Sequence, residues 1–115
     1  MTERDDEFPR LTAATVAVLR ALLVDPTKEL YGLEVCAAAG LPNGTVHPIL
    51  ARLERMQWLT SEFEQIDART EGRPRRRYYR LSERGAMRAR AAVDRAEAQA
   101  AGLRARRPGL AGGAA

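Results

Sequence analysis

Two stretches of alternating character, residues 58–66 (WLTSEFEQI) and 75–81 (RRRYYRL), sit inside a chain whose other apolar residues recur at helical spacing. A pattern that runs at period 3.6, switches to period 2 and then switches back dictates an order of elements. That order is helix, helix, helix, hairpin, long helix. It predicts a mainly α fold with a β-hairpin wing: a winged helix-turn-helix followed by one long C-terminal helix.

The punctuation agrees with that order. Thr12 is a candidate N-cap for a first helix whose apolar stripe is Val16, Leu19, Leu22 and Leu23, and Pro26 lies beyond its end. A second, shorter helix starts at Leu30 and stops at Gly40, a residue suited to the left-handed position after a helix. The third spans "LPNGTVHPILARLERMQ". In the second strand Arg77, Tyr79 and Leu81 share one face, and Arg76, Tyr78 and Arg80 share the other. The turn-rich "DARTEGRP" joins the strands. Ser82 caps the long helix. The predicted units are therefore a flexible acidic arm (1–10), the winged domain (11–81), a dimerisation helix (82–105) and a disordered Pro/Gly/Ala tail (106–115).

Charge singles out the hairpin. Residues 69–80, "RTEGRPRRRYYR", hold six arginines and one glutamate, a local +5 in a chain of net charge +4, so the other 103 residues sum to −1. A basic excess confined to so short a segment points to a polyanion, and above all to nucleic acid. Arg73, Arg75, Arg76 and Tyr78 are the candidate contacts there.

The third helix carries Pro48 inside its periodic part. Proline lacks the backbone donor and crowds the carbonyl four residues back. At about 100° per residue, Val46, Ile49, Leu50, Leu53 and Met56 cluster on a core-facing side. Gly44, His47, Pro48, Ala51, Arg52 and Arg55 occupy the opposite face, so the ring points away from the core. A merely solvated face would carry Glu, Lys and Gln. This one is compact in its first two turns and basic afterwards, which suits close approach to a duplex. The candidate DNA contacts here are Asn43, Thr45, His47, Arg52 and Arg55.

In the long helix Ala86, Ala89, Val93, Ala96, Ala100 and Leu103 repeat at alternating spacings of three and four, a heptad seam of small residues. Ala89, Val93, Ala96, Ala100 and Leu103 form the predicted homodimer interface. Small side chains bury little area, so help from the first helix or the N-terminal arm is expected.

The remaining signals exclude more than they suggest. The one cysteine, Cys36, rules out an internal disulfide and reads as a packed thiol; Trp58 reads as core or interface. No nucleophile–base set, paired carboxylates or phosphate-binding glycine loop appears, and one histidine cannot build a His-based metal cluster. Neither catalysis nor a cofactor is expected. No apolar run approaches the roughly 18 residues of a membrane span, and the acidic start is unlike a signal peptide, so a cytoplasmic location without membrane contact is expected.

"YGLEV", "LPNGTVHPILARLERMQWL" and "GRPRRRYYRLSERG" together resemble the PadR family of bacterial transcriptional regulators over roughly residues 12–86. The internal proline, the RLE segment and the YYRL-Ser-Glu-x-Gly junction carry the resemblance. It implies a winged-helix domain on double-stranded DNA, a homodimer built through the C-terminal helix, and repression of nearby genes, often relieved by a small-molecule effector. The short C-terminal part is similar to the small subfamily with a single dimerisation helix. The family usually has tyrosine before the helix proline, where this chain has His47. Two other classes compete: an RNA-binding or ribosome-associated protein, and a protein–protein adaptor built on a winged helix.

Overall fold

The computed structural model describes residues 11–106. The expected acidic arm lies outside the described residues, as does the expected tail apart from Arg106. Thr12 caps α1 (Ala13–Leu23): its hydroxyl accepts the Thr15 amide at 3.1 Å. Val16, Leu19, Leu22 and Leu23 are buried as the stripe requires, and Val18 and Ala21 join them.

The second segment departs from expectation at its start. Leu30–Tyr31 is a short strand, β1, and α2 runs Gly32–Ala39. Leu30 pairs with Tyr79 and Tyr31 with Tyr78, so backbone groups that a longer helix would have used are satisfied in a sheet. Glu34 marks the true helix start by accepting the Tyr31 amide at 3.1 Å. Gly40 closes α2 at φ 70°, with its N–H on the Cys36 carbonyl at 2.8 Å. Three residues later α3 (Asn43–Arg55) begins, with the Thr45 and Val46 amides donating to the Pro42 carbonyl.

The wing consists of β2 (Leu59–Phe63) and β3 (Arg77–Leu81), and the sheet order is β1-β3-β2, all antiparallel. Both strands are shorter than the alternating stretches. The connection is no plain turn: α4 (Ala68–Glu71) makes one helical turn in it, capped by Asp67 and ended by Gly72 at φ 72°. Tyr79 and Leu81 are buried while Arg77 on the same face is exposed, because that face leaves the core toward the wing tip.

Trp58 is fully buried between α3 and the sheet, with Val46, Leu50, Leu53 and Leu59 around the same core. Met56 is only half-buried, since it caps α3 at the rim. Cys36 is half-buried too, and its thiol donates to Asn43 Oδ1 at 3.6 Å.

α5 (Glu83–Ala105) starts at Ser82, whose hydroxyl accepts the Gly85 amide at 2.9 Å and donates to the Gln57 carbonyl at 2.8 Å. The predicted seam divides here. Ala89 is 0 % exposed and Val93 5 %, both packed into the core of their own chain together with Ala92. They are unavailable to a second copy, which corrects the expectation for these two positions. The physical reason is that α1 covers this stretch, and Arg20 reaches across to Glu97 at 2.9 Å. Ala96 is half-buried, and Ala100 and Leu103 stand exposed. Among the described residues no helix is long and apolar enough to cross a membrane.

Candidate nucleic-acid interface

α3 is helical through Pro48, and the ring lies on the exposed side. Any other residue at 48 would send its amide to the Gly44 carbonyl. The absence of that one bond in the second turn is tolerated because the buried row Val46, Ile49, Leu50 and Leu53 anchors the helix from the other side. Asn43, His47, Arg52 and Arg55 are exposed on the outward face, and Thr45 is half-buried at its edge. Two tight neighbours place the first turns. The His47 ring lies over Gly32, where a β-carbon would stand 3.4 Å from it, and Asn43 is held by the Cys36 thiol.

A groove of about 400 Å³ separates the start of α3 from the wing. Asn43 and His47 of α3, Tyr31 of β1, and Arg73, Arg75 and Arg76 of the wing are among the residues that line it. The fold thus brings five of the sequence candidates around one concavity. It leaves Thr45, Arg52, Arg55 and Tyr78 outside that lining.

The wing arginines are not equivalent. Arg76 stacks on the Tyr31 ring, its guanidinium carbon 4.3 Å from the centroid, and Tyr31 meets Tyr78 edge-on at 5.5 Å. Arg75 and Arg77 flank the half-exposed Phe63 ring at 5.7 and 5.0 Å. Arg77 also pairs with Glu54 at 3.3 Å and bonds Ser61, which ties the wing to α3. Arg73 forms a two-pronged pair with Glu64 at 2.8 and 3.0 Å. The Arg73 guanidinium, helped by the Arg76 amide, pulls the Glu64 carboxyl from 4.5 down to about 2. The same pair pushes Arg73 upward. Burial raises the Tyr79 hydroxyl.

Four contributors are not visible in the sequence pattern. Tyr31 falls in a stretch that reads as helix, Phe63 is one apolar residue in a strand, and Glu54 and Glu64 read as solvated acids. Only the 58–66 alternation offers a signal, and it places Phe63 on the face of Leu59.

A sequence profile described as the transcriptional regulator PadR-like family matches residues 23–91. No curated protein matches the chain. Among solved structures, BpsR of Bordetella bronchiseptica, whose DNA binding is regulated by 6-hydroxynicotinic acid, is similar at 25% identity and a TM-score of 0.60, over 76% of this chain and 57% of its own. PcaV of Streptomyces coelicolor, solved with its natural ligand, is similar at 25% identity and 0.58, over 77% and 57%. MepR of Staphylococcus aureus, a regulator of a multidrug efflux pump, shares the fold at 20% identity and 0.58, over 83% and 64%. The chain spans less than two thirds of the length of these three structures.

Proposed function

The chain belongs to the transcriptional regulator PadR-like family, and from that premise we propose that it is a homodimeric repressor reading an inverted repeat in double-stranded DNA. α3 would enter the major groove with Asn43, Thr45 and His47 at base edges, and Arg52 and Arg55 beside the backbone. The wing would hold flanking phosphates through Arg75 and Arg76, with Tyr78 near the backbone. Two copies would meet along Ala96, Ala100 and Leu103, placing half-sites about one helical turn apart or a multiple of it. A small-molecule effector would release the DNA, and the protein would act in the cytoplasm.

One observation carries this reading. The compact N-terminal turns of α3 and the arginines of a wing far away in sequence face a single groove. An adaptor surface would have no use for a second basic wall. RNA suits the arginines but not α3, because the deep, narrow major groove of A-form RNA does not admit a helix face. Titrating duplex DNA and duplex RNA of the same sequence at several salt concentrations tests the assignment. Preference for DNA with a steep salt dependence is the expected result. Equal affinity for both would favour the RNA reading, and affinity for neither would favour the adaptor.

A further inference from the structure

Arg73 opens the arginine cluster, yet its guanidinium is turned into the wing. Nη1 lies 2.8 Å from Glu64 Oε1, Nη2 lies 3.0 Å from Oε2, and Nη1 also donates to the Pro74 carbonyl at 3.2 Å. Glu64 does more than neutralise it. Its Oε1 accepts the Arg76 amide at 3.0 Å, and its own amide donates to the Arg76 carbonyl at 2.8 Å. The carboxylate is mostly enclosed, with its side chain 17 % exposed. One acid therefore takes hold of both ends of the 73–76 stretch, between which the chain turns through Pro74.

A carboxylate beside a polyanion costs affinity by simple repulsion. Its place where the two wing strands open into the arginine-bearing loop makes sense through what it orders. Long arginine side chains on a loose loop would lose backbone and rotamer freedom on binding, whereas a loop fixed beforehand has already lost it. Resting on the DNA-binding reading above, we infer that Glu64 is a positioning residue of the interface: it withdraws Arg73 from DNA as a brace and fixes the backbone that aims Arg75 and Arg76. Those two guanidinium groups then need only the aromatic supports they already have, Phe63 and Tyr31.

The test is a double-mutant cycle on a mixed-sequence DNA duplex, read as dissociation constants. Glu64→Ala makes the protein more positive. Electrostatics alone predicts tighter binding; the brace predicts binding weaker by roughly three- to tenfold. Arg73→Ala should weaken binding by a similar factor, and the double variant should be no weaker than either single one. Without DNA, the Arg76 amide should exchange with solvent faster in Glu64→Ala than in the native chain. Helical circular dichroism checks the fold. Should Glu64→Ala fail to fold, Glu64→Met, of similar length and with no oxygen to accept either bond, carries the test with the same signs. Tighter binding by the Glu64 variant, or effects that add in the double variant, would overturn the inference while leaving DNA binding intact. A native chain without affinity for any duplex at low salt would overturn the functional reading and this inference with it.

Discussion

The α-carbon of Gly85 rests directly on the backbone of Trp58: a β-carbon there would overlap the Trp58 carbonyl oxygen and stand 2.6 Å from its carbonyl carbon. Gly85 lies in the first turn of α5, so space and not left-handed backbone demands glycine. The obstacle is backbone, and no rotamer change relieves it. Gly85→Ala should destabilise the fold by about 3 kcal/mol, lowering the thermal midpoint by more than about 10 °C. Gly102 is the internal control, because nothing lies within 4 Å of its β position. Gly102→Ala should raise stability by about 0.5–1 kcal/mol.

The wing arginines should separate by their salt dependence. Arg75→Ala and Arg76→Ala are each expected to reduce the slope of log affinity against log salt by about 0.9 on specific and random duplex alike. A slope that stays at the native value in the double variant would remove the wing from the interface.

His47 separates base reading from backbone holding. With its imidazole at a base edge, His47→Ala should weaken operator binding by about 1–3 kcal/mol and relax preference at one position of each half-site. Competition with single-base operator variants checks it; a uniform weakening across all sequences would make the imidazole a phosphate ligand.

The two halves of α5 should respond oppositely to charge. Val93 is 5 % exposed within its own chain, so Val93→Glu buries a carboxylate without a designed partner and should unfold the protein. Leu103 is 57 % exposed, so Leu103→Glu should leave the thermal midpoint of the monomer unchanged while abolishing self-association and inverted-repeat binding. Ala96→Glu, at a half-buried position, should do some of each. Sedimentation and melting together decide; a dimeric Leu103→Glu would place the interface elsewhere.

Acid should loosen the wing late. Glu64 titrates at about 2 in the fold against 4.5 ordinarily, held down first by the Arg73 guanidinium and then by the Arg76 amide. A folded value below the unfolded one means that this contribution to stability is complete above pH 4.5 and fades as pH falls toward 2. Carboxyl carbon shifts should show that low midpoint. In Arg73→Ala it should climb back toward the ordinary carboxylate range.

What the sequence discloses is whatever single residues encode by period. Val46, Ile49, Leu50 and Leu53 face the core as their spacing requires, and the outward Pro48 follows from the same wheel. Leu30 and Tyr31 read as helix because a two-residue strand has no period, and β3, which holds it, lies far along the chain. An alanine seam says that something covers it but not what. At Ala89 and Val93 the cover is the same chain's own core. At the groove, residue types are legible and their division of labour is not. Arg73 and Arg76 look alike in a run of arginines, and only the hairpin sets one against Glu64 and the other over Tyr31.

From Ala98 to Ala105, past the Arg20–Glu97 pair, every residue of α5 except Gly102 is exposed, a length of about 12 Å. Up to Val93 the buried side of the helix, Gly85, Ala89, Ala92 and Val93, answers to its own core, and a change on that side is judged by folding. Beyond Glu97 its exposed side chains would answer to a second chain, if the proposed dimer forms there. With the proposed dimer formed there, the choice between pairing with itself and pairing with a sister chain would fall to these last turns, where Leu103 is the exposed apolar side chain and Arg104 the charge beside it. Choice of partner and choice of operator would then be written in separate stretches, and each could drift without rewriting the other.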